Sequence, residues 1–418
     1  MQRTLKIAAA ALAVASAVAV PASAHSQNAH PDVFAGSAGP ALGIGHVFVI
    51  VLENKTFDEL YGPAGSSYLA TSLEPQGTLL TQYYGIGHES NPNYLAMISG
   101  QGPNPQTQAD CQTFDDFLPS PAVFDPRGNG QAIGTGCVYP SQVPTLPNQL
   151  DAAHLTWHGY MEDMGNDVGR EPAHCGEPAS ASNTQGPRDA TQSATATDQY
   201  AARHNPFVYF HSLLDSGECH ANVLPLGASD PTSPNAVLSA DLANAATTPN
   251  FTFISPDLCH DGHDATCADG GPGGVAGIDD FLSTWVPQIE SSPAFQQDGL
   301  LVVTTDESEW NQSQQDSTSC CGEQPGPDTP MPGITGIGGG RTGALVIGRC
   351  VPGGAVDDGH AYNHYSLLRT VEDLFGITSG GADGHGHLGY AAGAGVTSFG
   401  SDVFSSCPTP VAASAKKG

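Results

Sequence analysis

The chain has 418 residues, with 12 Lys or Arg against 42 Asp or Glu, giving a formal charge of −30 at neutral pH. A surface of that sign repels phosphate backbones and anionic lipid headgroups, which argues against a nucleic-acid partner and means that an anionic substrate needs a local positive centre such as a metal ion. With 51 Gly and 33 Pro the chain is rich in loops, fits neither a collagen nor a coiled-coil pattern, and is long enough for one large domain or two ordinary ones.

In chain order, Met1-Gln2-Arg3-Thr4-Leu5-Lys6 precedes an Ala/Val-rich run to Pro21 and the small-x-small string Ala22-Ser23-Ala24. This pattern predicts a secretory signal peptide over 1–24 and a secreted protein, extracellular or periplasmic. No later stretch approaches the ~18 apolar residues of a spanning helix, so no stable membrane insertion is expected. Residues 25–43 read as a flexible arm, 44–405 as the main domain and 406–418 as a C-terminal tail. Export fits ten cysteines paired as disulfides, with no C-x-x-C string to suggest a thiolate metal site. The short loops Cys111 to Cys137 and Cys259 to Cys267 are natural pairs, and the vicinal Cys320-Cys321 is expected to split between two partners.

Apolar runs bounded by Gly, Pro, Asn or Asp predict buried strands at 46–52, 206–210, 251–255, 299–305 and 343–347. Helical spacing predicts helices over 92–98, 237–246, 278–289 and 364–375. Apolar strands alternating with helices predict an α/β domain around a largely parallel sheet. Polar, Gly/Pro-rich segments at 102–147, 175–199 and 313–341 read as disulfide-pinned loop insertions. The string DGHGHLGY, with His385 and His387, reads as a solvated loop.

In such sheets ligands sit beyond the carboxyl ends of the strands. Strand 46–52 ends in Glu53-Asn54, strand 251–255 runs into Asp257, His260, Asp261, His263 and Asp264, and strand 299–305 ends in Asp306-Glu307. One such pair reads as helix capping. Three at one edge, with few basic residues nearby, predict a divalent cation. The segment from Gly87 to Leu95 has helix-start grammar, with Ser90 or Asn91 as the cap and Pro92 at the first helical position. A hydroxyl there faces the positive end of the helix, where phosphate binds well. A cation held by Glu53, Asn54, Asp306 and Glu307 could bind the Ser90 oxygen and lower its pKa.

The strings HVFVIVLENKTFDELYG (46–62), ESNPNYLAMISG (89–100), TWHGYMEDM (156–164), HNPFVYF (204–210), SPDLCHDGHD (255–264), TTDES (304–308) and NHYSLLRTVEDLFGI (363–377) resemble the phosphoesterase family of acid phosphatases and non-haemolytic phospholipases C, within the alkaline-phosphatase superfamily. The resemblance spans about residues 44–400 and implies an alkaline-phosphatase-like central sheet flanked by helices. It implies a hydrolase of phosphoric esters in which Glu53, Asn54, Asp306, Glu307 and Ser90 ligate the metal and Ser90 is the nucleophile. His263 and His364 are the implied catalytic histidines, with His88 a weaker candidate. Asp257, His260, Asp261 and Asn93 are assigned to the phosphate or a second metal.

The sequence also departs from relatives of this kind. Ser90 stands where the phospholipase branch carries Thr, and Tyr94 where it carries Arg, which favours the acid-phosphatase side. Tyr94 also replaces the Arg of a sulfatase nucleophile motif. Trp157 and Tyr160 read as core or pocket wall, with Glu162 and Asp163 reaching the site only indirectly, and Asp357, Asp358 and His360 as an entrance loop. The expected function is hydrolysis of small phosphate monoesters. The alternatives are phospholipase C cleavage of phospholipid headgroups and a non-catalytic secreted metal or phosphate binder.

Overall fold

The computed structural model describes residues 42–62, 66–183, 186–310 and 315–405. The expected signal peptide, nearly all of the arm, the tail and Cys407 lie outside the described residues. Strand β1 (His46–Leu52) is buried along its whole length. Its alternation sends Val47, Val49 and Val51 into one core and Phe48, Ile50 and Leu52 into another. A strand that is apolar on both faces can only be central. Around it stand β2 (Thr78–Leu80), β3 (Trp157–Met161), β4 (Val223–Pro225), β5 (Phe251–Ser255), β6 (Gly299–Thr305), β7 (Ala344–Gly348) and β8 (Ala355–Asp357). Their order is β8-β2-β7-β6-β1-β5-β3-β4. β1 is parallel to β5 and β6, and only β7 runs against the rest.

The core containing Phe48 is covered by a helix at Val275–Ser291, whose Ile278, Phe281, Leu282, Trp285 and Ile289 recur every three or four residues. The other face carries α1 (Ser90–Ser99), buried throughout, packed against the helix α2 at His364–Leu374. α1 ends at Gly100 with φ 66°, where a Cβ would lie 2.2 Å from the Leu388 carbonyl oxygen, so only glycine fits.

Several expectations change. Residues 206–210 are not a strand: Pro206–Tyr209 form a 3-10 turn, started when the Asn205 side chain accepts the Phe207 N–H. Asn-Pro sets that turn, and the apolar run is core filling of another shape. Of helix 237–246 only Leu238–Asp241 is α-helical. The three-residue strands β2, β4 and β8 are too short to leave a period in the sequence. Disulfides join Cys111–Cys137, Cys175–Cys219 and Cys259–Cys267, whereas Cys320 and Cys321 bond to each other instead of to two partners. The first insertion carries a hairpin, Leu118–Phe124 against Ala132–Thr135, that leaves Leu118, Val123 and Phe124 exposed. No helix among the described residues is long and apolar enough to cross a membrane.

His387 is not solvated. It is buried, with Nδ1 at 2.5 Å from Asp383 and Nε2 at 3.0 Å from Asp373. Burial opposes its charge, but the bonds to Asp373 and Asp383 prevail and raise the imidazole above its ordinary value. A raised pKa in the folded state gives stability that is fully present below the unfolded value, about 6.5, and is lost as pH rises through the folded value. His387→Gln is therefore expected to cost on the order of 1–2 kcal/mol in mild acid and less in alkali, read from denaturant midpoints across pH. An equal loss at every pH would mean that the charge contributes nothing.

Candidate active site

Ser90 is the first residue of α1, but the cap is Glu89, in a strained conformation with φ 72°, and no side chain caps the helix. Pro92 is the third helical residue, not the first, and still falls among the four N–H positions that lack an intrahelical acceptor. Because it is not used as a cap, the Ser90 hydroxyl is available to donate to Glu53 Oε2 at 2.8 Å. The turn before it is braced by Asn93. Its Oδ1 accepts from Ile86 N (2.7 Å) and Gly87 N (3.2 Å), and its Nδ2 donates to Gly87 O (3.1 Å) and Glu89 O (3.0 Å). Both ends of the amide are committed to backbone, so Asn93 shapes the turn and does not face a phosphate or metal.

At the end of β1, Asn54 adopts φ 52°. Its N–H donates to Asp306 Oδ1 at 3.1 Å and its Nδ2 to Glu53 Oε2 at 3.2 Å. Glu53, Asn54, Ser90 and Asp306 thus form one hydrogen-bonded group. Glu307 lies beside it, in contact with His88 Nδ1, while His88 Nε2–H donates to the Asp316 carbonyl at 2.7 Å. Burial lowers His88 and, together with the neighbouring Glu53 charge, raises Glu307. Ser90, Asn54, Glu307, His88, His263 and Trp310 line a cavity of about 290 Å³.

The carboxyls of Glu53, Asp306 and Glu307 are all raised, first by burial; Glu53 also repels the other two. Glu53 Oε1 and Asp306 Oδ2 are buried and receive no hydrogen bond. Nearby cations are already engaged: Lys55 Nζ donates to Asn54 O at 3.0 Å, and Arg203 lies 3.7 Å from Asp110 and 3.2 Å from His263 Nε2. Buried carboxylate oxygens without a hydrogen bond, on residues bonded to the Asn54 backbone and the Ser90 hydroxyl, are donors of the kind a divalent cation takes.

The 251–255 strand divides its acids. Asp261 joins the Ser90 side, with Oδ2 3.0 Å from His204 Nδ1, while His204 Nε2 lies 3.3 Å from Glu53 Oε1. Glu53, His204 and Asp261 bring one ligand atom each within 4.8 Å of one another. Asp257 instead accepts from the N–H groups of Cys259 and His260, each at 2.9 Å, and His260 Nδ1–H donates to Glu162 Oε1 at 3.0 Å. Asp257, His260 and Glu162 form a separate group that does not line the Ser90 cavity. His263 does line it, with Nδ1–H donating to Asp264 at 2.8 Å. His364 does not: it is buried, with Nε2–H donating to the Asp306 carbonyl at 2.5 Å and Nδ1 facing the Tyr83 hydroxyl at 3.1 Å. Burial holds His364 near 4, and it braces the Asp306 backbone from behind.

Sequence reasoning missed Arg203, His204 and Asp110. His204 opens the HNPFVYF string, and the Asn-Pro turn that follows it was the available signal. His204 stacks on Tyr94 with ring centroids 5.2 Å apart and planes 6° from parallel.

The phosphoesterase family model matches residues 64–378. The chain belongs to this family. Over 328 residues it is 27% identical to a probable acid phosphatase of Kluyveromyces lactis, covering 78% of this chain and 56% of that protein. It therefore spans little more than half the length of that relative. Over 372 residues it is 24% identical to a phosphatidylinositol-3-phosphatase of Mycobacterium tuberculosis, covering 89% and 90% of the two chains. Among solved structures, an alkaline phosphatase superfamily protein from Vibrio parahaemolyticus is 14% identical, with a TM-score of 0.41 over 80% of this chain and 66% of that one. The family match begins after Glu53 and Asn54.

Replacing the brace, Asn93→Ala, is expected to cost about 1–3 kcal/mol because three buried backbone partners and the part-buried Glu89 carbonyl lose their bonds together. Chemical denaturation measures this, and a change within ~0.5 kcal/mol would mean that the turn holds without it.

Proposed function

We propose that this chain is a secreted phosphoric ester hydrolase that cleaves phosphate monoesters through Ser90, with Glu53, Asn54, Asp306, Glu307 and the Ser90 oxygen holding a divalent cation. The observation that carries this reading is the Ser90 hydroxyl, at the start of α1 and 2.8 Å from a buried carboxylate, inside a cavity lined by further ligating groups. The disulfides and the N-terminal pattern support export.

In this mechanism Glu53 Oε2 is the nearest acceptor for the Ser90 proton. The Ser90 oxygen attacks phosphorus in line, forming a phosphoserine as the alcohol departs, and water then attacks from the vacated side. The positive end of α1 favours charge on the phosphoryl oxygens. The cation, when bound, supplies Lewis-acid stabilisation and offsets the crowded carboxylates. His263 Nε2 accepts from Arg203, a group that can only donate, and its Nδ1–H donates to Asp264, so His263 holds the Arg203 guanidinium beside the cavity wall. His364 is reassigned as a positioning residue, because both of its ring nitrogens are engaged away from the cavity.

Cleavage of phospholipid diesters is the second reading. The apolar side chains of Met331, Ile334 and Ile337 are exposed on one loop, and Ile334 with Trp310 reaches the cavity wall. An apolar rim suits a lipid substrate.

Ser90→Ala is expected to lower turnover of an aryl phosphate by at least ~10³-fold with an unchanged melting transition. Activity within a few-fold of the parent would remove Ser90 as nucleophile. Chelation is expected to abolish turnover, and adding back single divalent ions to restore it. A faster rate on phosphatidylcholine vesicles than on aryl phosphate would favour the second reading, and tight binding without turnover would point to a non-catalytic binder.

A further inference from the structure

Strand β8 lies at the outer edge of the sheet and runs in the same direction as β1 and β6, so its carboxyl end opens on the same side. It stands four places from β1, about 19 Å at the usual interstrand spacing of ~4.8 Å. Its last residue is Asp357. His360 follows in the next loop, and Asp402 approaches from the turn near the end of the described residues. His360 Nδ1 is 2.9 Å from Asp357 Oδ1 and 3.5 Å from Asp402 Oδ2, and the three residues bring one ligand atom each within 4.8 Å of one another. None of them lines the Ser90 cavity.

We propose that Asp357, His360 and Asp402 form a second divalent-cation site, suited to a transition ion such as Zn²⁺ or Mn²⁺ and separate from the Ser90 centre. The two carboxylate side chains are each only 8% exposed. Asp357 Oδ1 accepts the Gly359 N–H at 3.1 Å, and Asp402 Oδ2 accepts the Tyr362 hydroxyl at 2.7 Å. Asp357 Oδ2, in contrast, is buried and receives no hydrogen bond. A buried acceptor left in this way carries its full desolvation penalty, and a cation removes it. One imidazolium offsets at most one of the two charges.

Two carboxylates and an imidazole nitrogen form a mixed oxygen and nitrogen donor set, which favours transition ions over Ca²⁺ or Mg²⁺. Binding through Nδ1 requires that nitrogen to be unprotonated, so the ion would take the place of its hydrogen bond to Asp357. An ion here would tie the turn carrying Asp402 to the segment that leads into α2. Tyr362 already packs there against Phe399, with ring centroids 5.0 Å apart.

The test uses the full chain, stripped with chelator and then titrated with Zn²⁺ or with Mn²⁺, counting bound metal after gel filtration. The parent is expected to retain one equivalent more than Asp402→Asn. In chelator, Asp402→Asn is expected to melt no lower than the parent, because it removes a like charge facing Asp357. With metal, only the parent should gain the extra stability. Equal metal content in the two proteins would overturn the proposal. So would an equal loss of stability with and without metal, which identifies an ordinary Asp–His ion pair. If Asp402→Asn does not fold, His360→Gln is compared with the parent by the same counts, and the same outcomes decide. Turnover at Ser90 is expected to be unchanged in either variant, so loss of this site and failure of the phosphatase reading give different results.

Discussion

Negative charge gathered in a dry place governs this molecule. Glu53, Asp261, Asp306 and Glu307 are all buried at the ends of three adjacent strands. At an effective dielectric near 20, two like charges about 4 Å apart cost roughly 4 kcal/mol, and burial adds a penalty for each. A fold can hold such a group only on rigid supports. Here the supports are β1 and β6, apolar on both faces and packed between two cores. The strained backbone at Asn54 and Glu89 sits where those strands and α1 deliver their side chains.

Around the carboxylates, the protein places basic groups that moderate the charge without filling its centre. His204 lies between Glu53 and Asp261, His88 contacts Glu307, and Arg203 is directed towards Asp110 and His263. At Tyr94, where the nucleophile motif carries Arg, the ring serves as the surface on which His204 is stacked.

Much of the architecture was legible because long buried strands carry a strong signal: β1, β5 and β6 have the bounds that their apolar runs give. Their carboxyl ends therefore identified Glu53, Asn54, Asp306 and Glu307 as neighbours before any coordinates. What remained hidden was decided by side-chain hydrogen bonds. Asn205 turned an apolar run into a 3-10 turn, Asn93 was drawn into bracing a loop, and His364 was aimed at a backbone carbonyl behind the site. Sequence separation concealed His204, which stands 151 positions after Glu53 and beside it in space. Cys320 and Cys321 were misjudged because spacing alone cannot tell a local bond from two distant ones.

The hairpin of the first insertion has one more consequence. Its outer strand, Leu118–Phe124, exposes apolar side chains, a surface on which a stray chain could template itself. Pro119 and Pro121 have no N–H, so the row of donors that such an intruder would need is broken at two points within seven residues. The insertion can therefore present grease to solvent without inviting fibrils.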